Sequence, residues 1–128
     1  MEVDKTIGAV TWMDLTVPDA NAIRDFYADV VGWKIMDISM GDYNDYCMMS
    51  PEDGVVRSGI CHAKGANAGI PPMWIMYINV SNLEAVIEKV KKGGGEVVHG
   101  PRKMGDRAKY CIIKDPGGAY CGLFDHGE

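Results

Sequence analysis

The sequence predicts an α+β domain built from two copies of a βαβββ module, and three observations carry that prediction. Residues 12 to 35 align with residues 75 to 98 without a gap at a constant offset of 63, setting Val17 on Val80, Asp19 on Asn82, Ala22 on Ala85 and Gly32 on Gly95. Each aligned stretch passes from strand-like alternation to a helical stripe and back to a strand. Beyond the helix the likeness resumes at an offset of 64, where Tyr46-Cys47-Met48-Met49 falls on Tyr110-Cys111-Ile112-Ile113. Two copies spaced by half the chain are two modules of one domain rather than a solenoid. Module one spans about residues 7–62, a linker residues 63–72, and module two about residues 73–124.

Taken in order, the first strand runs from about Ile7 to Val17, with Met13, Leu15 and Val17 on an apolar face and Trp12, Asp14 and Thr16 on a mixed one. Pro18 closes it and Asp19 is a ready N-cap. Ile23, Phe26, Tyr27, Val30 and Val31 then form the stripe of a helix lying on a core, and Gly32 stops it. Strands follow at about 33–39, 43–50 and 55–62, separated by the turn compositions Gly41-Asp42 and Pro51-Glu52-Asp53-Gly54. The stretch AKGANAGIPP reads as the linker. Module two opens with a strand at about 73–80, in which Met76, Ile78 and Val80 alternate against Ile75, Tyr77 and Asn79. Ser81 with Glu84 reads as a capping box, ahead of the stripe Leu83, Val86, Ile87 and Val90. Strands at about 96–99, 109–114 and 119–124 complete the copy, the last two joined by Asp115-Pro116-Gly117-Gly118.

Composition narrows the function. At 128 residues, with 47% hydrophobic and 24% charged residues, the chain has the make-up of an ordinary globular domain. A net charge of -5 predicts no nucleic-acid or anionic-membrane partner, because both are bound through clustered Lys and Arg. The basic group Arg102, Lys103, Arg107 and Lys109 reads as a solvated loop, with an anion-contacting lid as the sharper alternative. No stretch resembles a signal peptide or a spanning helix, so the cytoplasm is the expected address. Cys47, Cys61, Cys111 and Cys121 make no CxxC pair and read as small buried hydrophobes.

Two βαβββ copies, a first strand ending V-P-D before a helix that carries F-Y and ends in G-W, and a D-P-x-G turn before the closing strand resemble the vicinal oxygen chelate superfamily. That group includes glyoxalase I, bleomycin-resistance proteins, extradiol dioxygenases and methylmalonyl-CoA epimerase. The resemblance implies two modules curling into a half-barrel cleft, and a homodimer. It also implies a divalent ion held by His, Gln or Glu side chains on the first and last strand of each module. Those positions fall here on Trp12 and Ile75, and on Ser58 or Gly59 and Gly122. None is a usual ligand of such a site. The chain therefore resembles a metal-free branch, and no metal or other cofactor is expected.

Sequence reasoning assigns a small-molecule ligand to the cleft, contacted by Trp12, Asp14, Ser58, Ile75 and Tyr77. Trp12 offers a stacking surface, and nine methionines suit an adaptable apolar wall, although most of these side chains are read as core. Asp14 beside aromatic walls would have a raised pKa and serve as a general base, with Tyr77 as its counterpart in module two. His62, at the end of its strand, is the second catalytic candidate, paired with Asp14 or His99; His99 and His126 have weaker claims. Against each stands a plain structural reading: Asp14 at a solvated edge, His62 hydrogen-bonded at a strand end. Three functions follow. The chain is a metal-independent binder of a partly apolar or aromatic molecule, or a small lyase or isomerase using Asp14 as base or a displaced metal site of Asp14 and His62, or an interaction domain.

Overall fold

The computed structural model describes residues 3–127, and every expected element forms. The order is β1 (Val10–Val17), α1 (Ala20–Val31), β2 (Lys34–Ser39), β3 (Asn44–Met49), β4 (Val56–His62), β5 (Trp74–Asn79), α2 (Leu83–Lys92), β6 (Glu96–Met104), β7 (Ala108–Lys114) and β8 (Tyr120–Asp125). This is the α+β, two-module arrangement that the repeat predicts. Contacts gather into two compact units, residues 13–74 and residues 1–12 with 75–128.

In the unit of residues 13–74, β1 runs parallel to β4, with Asp14 opposite Gly59 and Val17 opposite His62. β4 is antiparallel to β3, and β3 to β2. Asp19 caps α1 as expected, its carboxylate accepting from the Ala22 amide, and Gly32 ends the helix at φ 79. The core joins Leu15, Val17, Ala20, Tyr46, Met48 and Ile60, with Ile23, Tyr27 and Trp74 packed against it. Trp74 donates its indole N–H to the Tyr27 hydroxyl at 3.1 Å, which fixes it against α1. The broad stripe expected on α1 does not all turn inward: Phe26, Val30 and Val31 are exposed. Three helix positions, Ala20, Ile23 and Tyr27, already cover the narrow sheet. Met13 is likewise exposed and Thr16 buried, although each stays on the face expected for it in β1. The expected linker holds a 3-10 turn, Gly65–Asn67, and a buried Ile70.

The second unit repeats the plan: β5 is parallel to β8, β8 antiparallel to β7, and β7 to β6. Leu83 and Ile87 of α2 pack on Cys111, Ile113 and Leu123, with Val86 and Val90 alongside, as the stripe predicts. Full burial of a side chain such as Leu83 contributes about 1.5–3 kcal/mol, which makes this helix face the unit's main anchor. Its cap is not Ser81. Asn82 takes a left-handed conformation at φ 54 and accepts from the Ala85 amide, while Asp125 accepts from the Leu83 amide at 3.0 Å. Glu84, freed from the expected capping box, pairs with Lys109 across the surface.

Two strands also begin or end away from their expected places. Ile7 precedes β1 rather than opening it, because Gly8 and Ala9 exchange backbone hydrogen bonds with Asn79. β6 continues through Gly100-Pro101 to Met104, so Arg102, Lys103 and Lys109 lie on a β-hairpin and not in a loop. Register shifts on either side of His99 absorb the proline, which has no N–H to give the ladder.

Candidate functional site

Strand alternation sorts the expected site residues by sheet face. In residues 13–74 the face covered by α1 carries Leu15, Tyr46, Met48 and Ile60. Ser58 sits opposite Met48 and His62 opposite Val17, so both belong to that helix face. Asp14, between Met13 and Leu15, belongs to the other. This overturns the displaced metal site of Asp14 and His62, and removes Ser58 from the surface that Asp14 lines. The two-residue period of the strand decides it. His62 is instead 6% exposed, with Nδ1 3.5 Å from the Pro18 carbonyl and its ring edge-on to Tyr43 at 5.3 Å.

Around Asp14 the open face holds Gly59 and Cys47 in one row and Thr16 beside Cys61. Burial first, and then the negative charge of Asp14, push both thiols above their ordinary range, the Cys61 thiol strongly. Asp14 thus sits beside protonated, weakly nucleophilic cysteines.

In the second unit the face turned away from α2 carries Ile75, Tyr77, Tyr110, Ile112 and Gly122, the register placing Tyr77 and Ile112 opposite Gly122. The Tyr77 ring lies over Gly122, where a Cβ would overlap it. Its edge meets Tyr110 at 6.1 Å, and Tyr110 in turn meets the His99 ring at 6.1 Å. His99 was a weak candidate in the sequence, and the structure gives it a stronger place. Val97 pairs with Ile113 and packs toward α2, whereas the next paired residue, His99, sits opposite Ile112 on the other face. A second shift at Gly100-Pro101 keeps Arg102 opposite Tyr110. Two bulges thus aim a histidine and an arginine at the face of Tyr77, which is how bulges commonly serve sites. The signal for this in the sequence is the Gly-Pro pair inside a strand; Gly100 has φ 85, and a Cβ there would stand 2.9 Å from the Tyr110 carbonyl. His99 Nε2 is buried without a hydrogen-bond partner among the described residues, and burial together with the Arg102 charge lowers its pKa. A neutral imidazole beside the Tyr110 ring can donate one hydrogen bond and accept another.

The metal that the resemblance implies does not fit these residues. Gly122 offers no donor and no room for one beneath Tyr77, Ile75 is 2% exposed and apolar, and Gly59 presents no side chain beside Asp14. Among the described residues no three His, Cys, Asp or Glu side chains group as metal ligands.

Known proteins share this organisation. The model of the glyoxalase/bleomycin resistance protein/dioxygenase superfamily matches residues 7–121. The Mycobacterium tuberculosis protein named "Putative glyoxylase CFP32" is 35% identical over 118 residues, covering 91% of this chain and 45% of its own length. "Anthracycline biosynthesis protein DnrV" of Streptomyces peucetius is 26% identical over 94% of this chain and 48% of its own. The chain therefore spans less than half the length of these curated relatives. Among solved structures, methylmalonyl-CoA epimerase of Streptomyces coelicolor superposes with a TM-score of 0.58 at 13% identity, covering 96% of this chain and all of the epimerase chain, a likeness of fold. With that fold, the 35% identity and a family match spanning nearly its whole length, the chain belongs to the glyoxalase/bleomycin resistance protein/dioxygenase superfamily.

Proposed function

We propose that this protein binds a small, partly apolar or aromatic molecule without the metal usual in its superfamily. The observation that carries the reading is the Tyr77 ring lying over Gly122, which turns the closing-strand ligand position into an aromatic surface. Tyr110, Ile112 and Ile75 pack beside it as buried neighbours, and the half-buried Trp12 supplies a ring at the first-strand position. A relative named for anthracycline biosynthesis, hence for a fused-ring aromatic product, supports the same ligand class. A cytoplasmic homodimer is the setting that goes with this reading; among the described residues no helix is long and apolar enough to cross a membrane.

The 35% identity to a protein named as a glyoxylase supports a second reading, a lyase or isomerase in which Asp14 is the general base. One experiment separates the two. Metal-stripped protein is screened by thermal shift against aromatic and apolar small molecules, and the best ligands are titrated against the parent and Asp14→Asn. Saturable binding that survives both chelation and Asp14→Asn supports the binder. Binding that appears only after adding back Zn, Ni, Mn or Fe sinks it. Turnover of a bound compound, abolished by Asp14→Asn, establishes the second reading.

A further inference from the structure

We infer that residues 13–74 hold a second binding site, on the helix side of the sheet and so on the opposite face from Asp14, for a small carboxylate that also bears a hydroxyl or ammonium group. A pocket of about 340 Å³ opens there between the first turn of α1, the β2–β3 turn and the end of β4. Its size is at the small end of the range for ligand sites. Of the polar groups that line it, four keep a hydrogen-bonding position unused among the described residues.

Two are donors. Asn21 accepts the Tyr46 hydroxyl through Oδ1, which fixes the amide and leaves its N–H groups without a partner among the described residues. The Lys64 ammonium stands 5.0 Å above the Tyr43 ring and has no carboxylate in ion-pair reach among those residues. Two are acceptors. His62 Nδ1 lies 3.5 Å from the Pro18 carbonyl, which leaves Nε2 as the ring nitrogen available to a donor on the ligand. Asp42 brings a carboxylate from the turn.

The rings hold this arrangement in place. His62 is 6% exposed, wedged between Tyr43 and Tyr46, and its own amide donates to Asp45 Oδ1 at 2.8 Å. The Arg24 guanidinium lies 4.5 Å above the outer part of the same wall, on the Tyr46 ring. A nine-tenths-buried imidazole, in a pocket that also holds a cation and an anion without an ion-pair partner among the described residues, calls for a ligand with both signs of hydrogen bonding. A carboxylate answers Lys64 and Asn21, and a hydroxyl or ammonium answers His62 and Asp42. A carboxylate alone would leave two acceptors unanswered, and an amine alone two donors.

The test is an amide NMR titration of the whole chain with serine and glycolate, which join a carboxylate to a donor group, and with acetate, which has the carboxylate alone, and ethanolamine, which has donor groups without a carboxylate. Saturable shifts are expected at Asn21, Asn44 and Lys64 with serine, glycolate or both, in the millimolar range that such small molecules reach. Acetate and ethanolamine should bind about tenfold more weakly or worse, and Lys64→Met, an exposed change, should weaken the better ligand by about tenfold. The site is overturned if no probe shifts these amides saturably, if acetate or ethanolamine binds as well as the two-group probes, or if Lys64→Met leaves affinity unchanged. Tighter binding of serine than of glycolate assigns the ammonium as the donor, and equal or weaker binding of serine assigns the hydroxyl. The outcome is independent of the aromatic ligand proposed above, whose face does not include these residues.

Discussion

A glycine and a histidine define the second unit's open face, and both act through what surrounds them. Gly122 matters for the side chain it lacks, since the Tyr77 ring occupies that space. His99 matters for its charge state. Burial, and to a lesser degree the nearby Arg102, hold its pKa below the ordinary 6.5, so the folded protein resists protonating it while the unfolded chain does not. The sign follows from that difference. The stability owed to the neutral ring is complete above pH 6.5 and is lost progressively as the pH falls from there through the lower folded-state value. Urea midpoints of the parent should therefore decline below about pH 6.5, with a slope that His99→Gln flattens. A variant with the same slope as the parent would show that His99 titrates normally.

At the scale of the element, the two helices show how one plan is capped in two ways. Asp19 caps α1 from a negative φ of -117, whereas Asn82 caps α2 from the left-handed region, with Asp125 taking the Leu83 amide and, through its other oxygen, the Gly127 amide at 2.8 Å. Asparagine is among the few residues that enter that region cheaply, and glycine enters it freely. Asn82→Ala should thus cost about 1–2 kcal/mol, losing the side-chain cap and straining the backbone, while Asn82→Gly should cost only a few tenths. Chemical denaturation measures both. Equal losses for the two variants would mean that the cap bond alone matters and the φ of 54 does not. The same comparison shows why the sequence misled here. Ser81 and Glu84 have the spacing of a capping box, but the backbone turns left at Asn82 and sends Glu84 to Lys109 on β7.

Across the whole molecule, what the sequence revealed was whatever depends on periodicity: both helices, all eight strands, and the stripe of α2 against its sheet. What it hid depends on interruptions of that periodicity and on contacts far apart in the chain. His62 and Asp14 were grouped because both stand at strand positions in module one, and only the register of β1 against β4 reveals that they face apart. His99 reads in the sequence as a loop residue with a weak claim, whereas it lies within β6, where a register shift after Val97 sets it opposite Ile112. Asn79 is the clearest long-range case. It is fully buried, and its side chain donates to the Asp4 and Thr6 carbonyls and accepts from the Thr11 hydroxyl, residues 68 to 75 positions earlier. His126 Nε2 approaches the same oxygen at 3.1 Å. One amide therefore ties both ends of the chain to β5, and truncating it would strand several polar groups at once. A buried donor or acceptor left alone costs about 1–3 kcal/mol, so Asn79→Ala should lower stability by about 2–4 kcal/mol. Hydrogen exchange gives the finer readout. The Gly8 amide, which donates to the Asn79 carbonyl, should lose protection in the variant before the amides of β7 do, because the segment before β1 is held chiefly by this residue. A variant as stable as the parent, with Gly8 still protected, would show that the chain's first residues are held by other contacts.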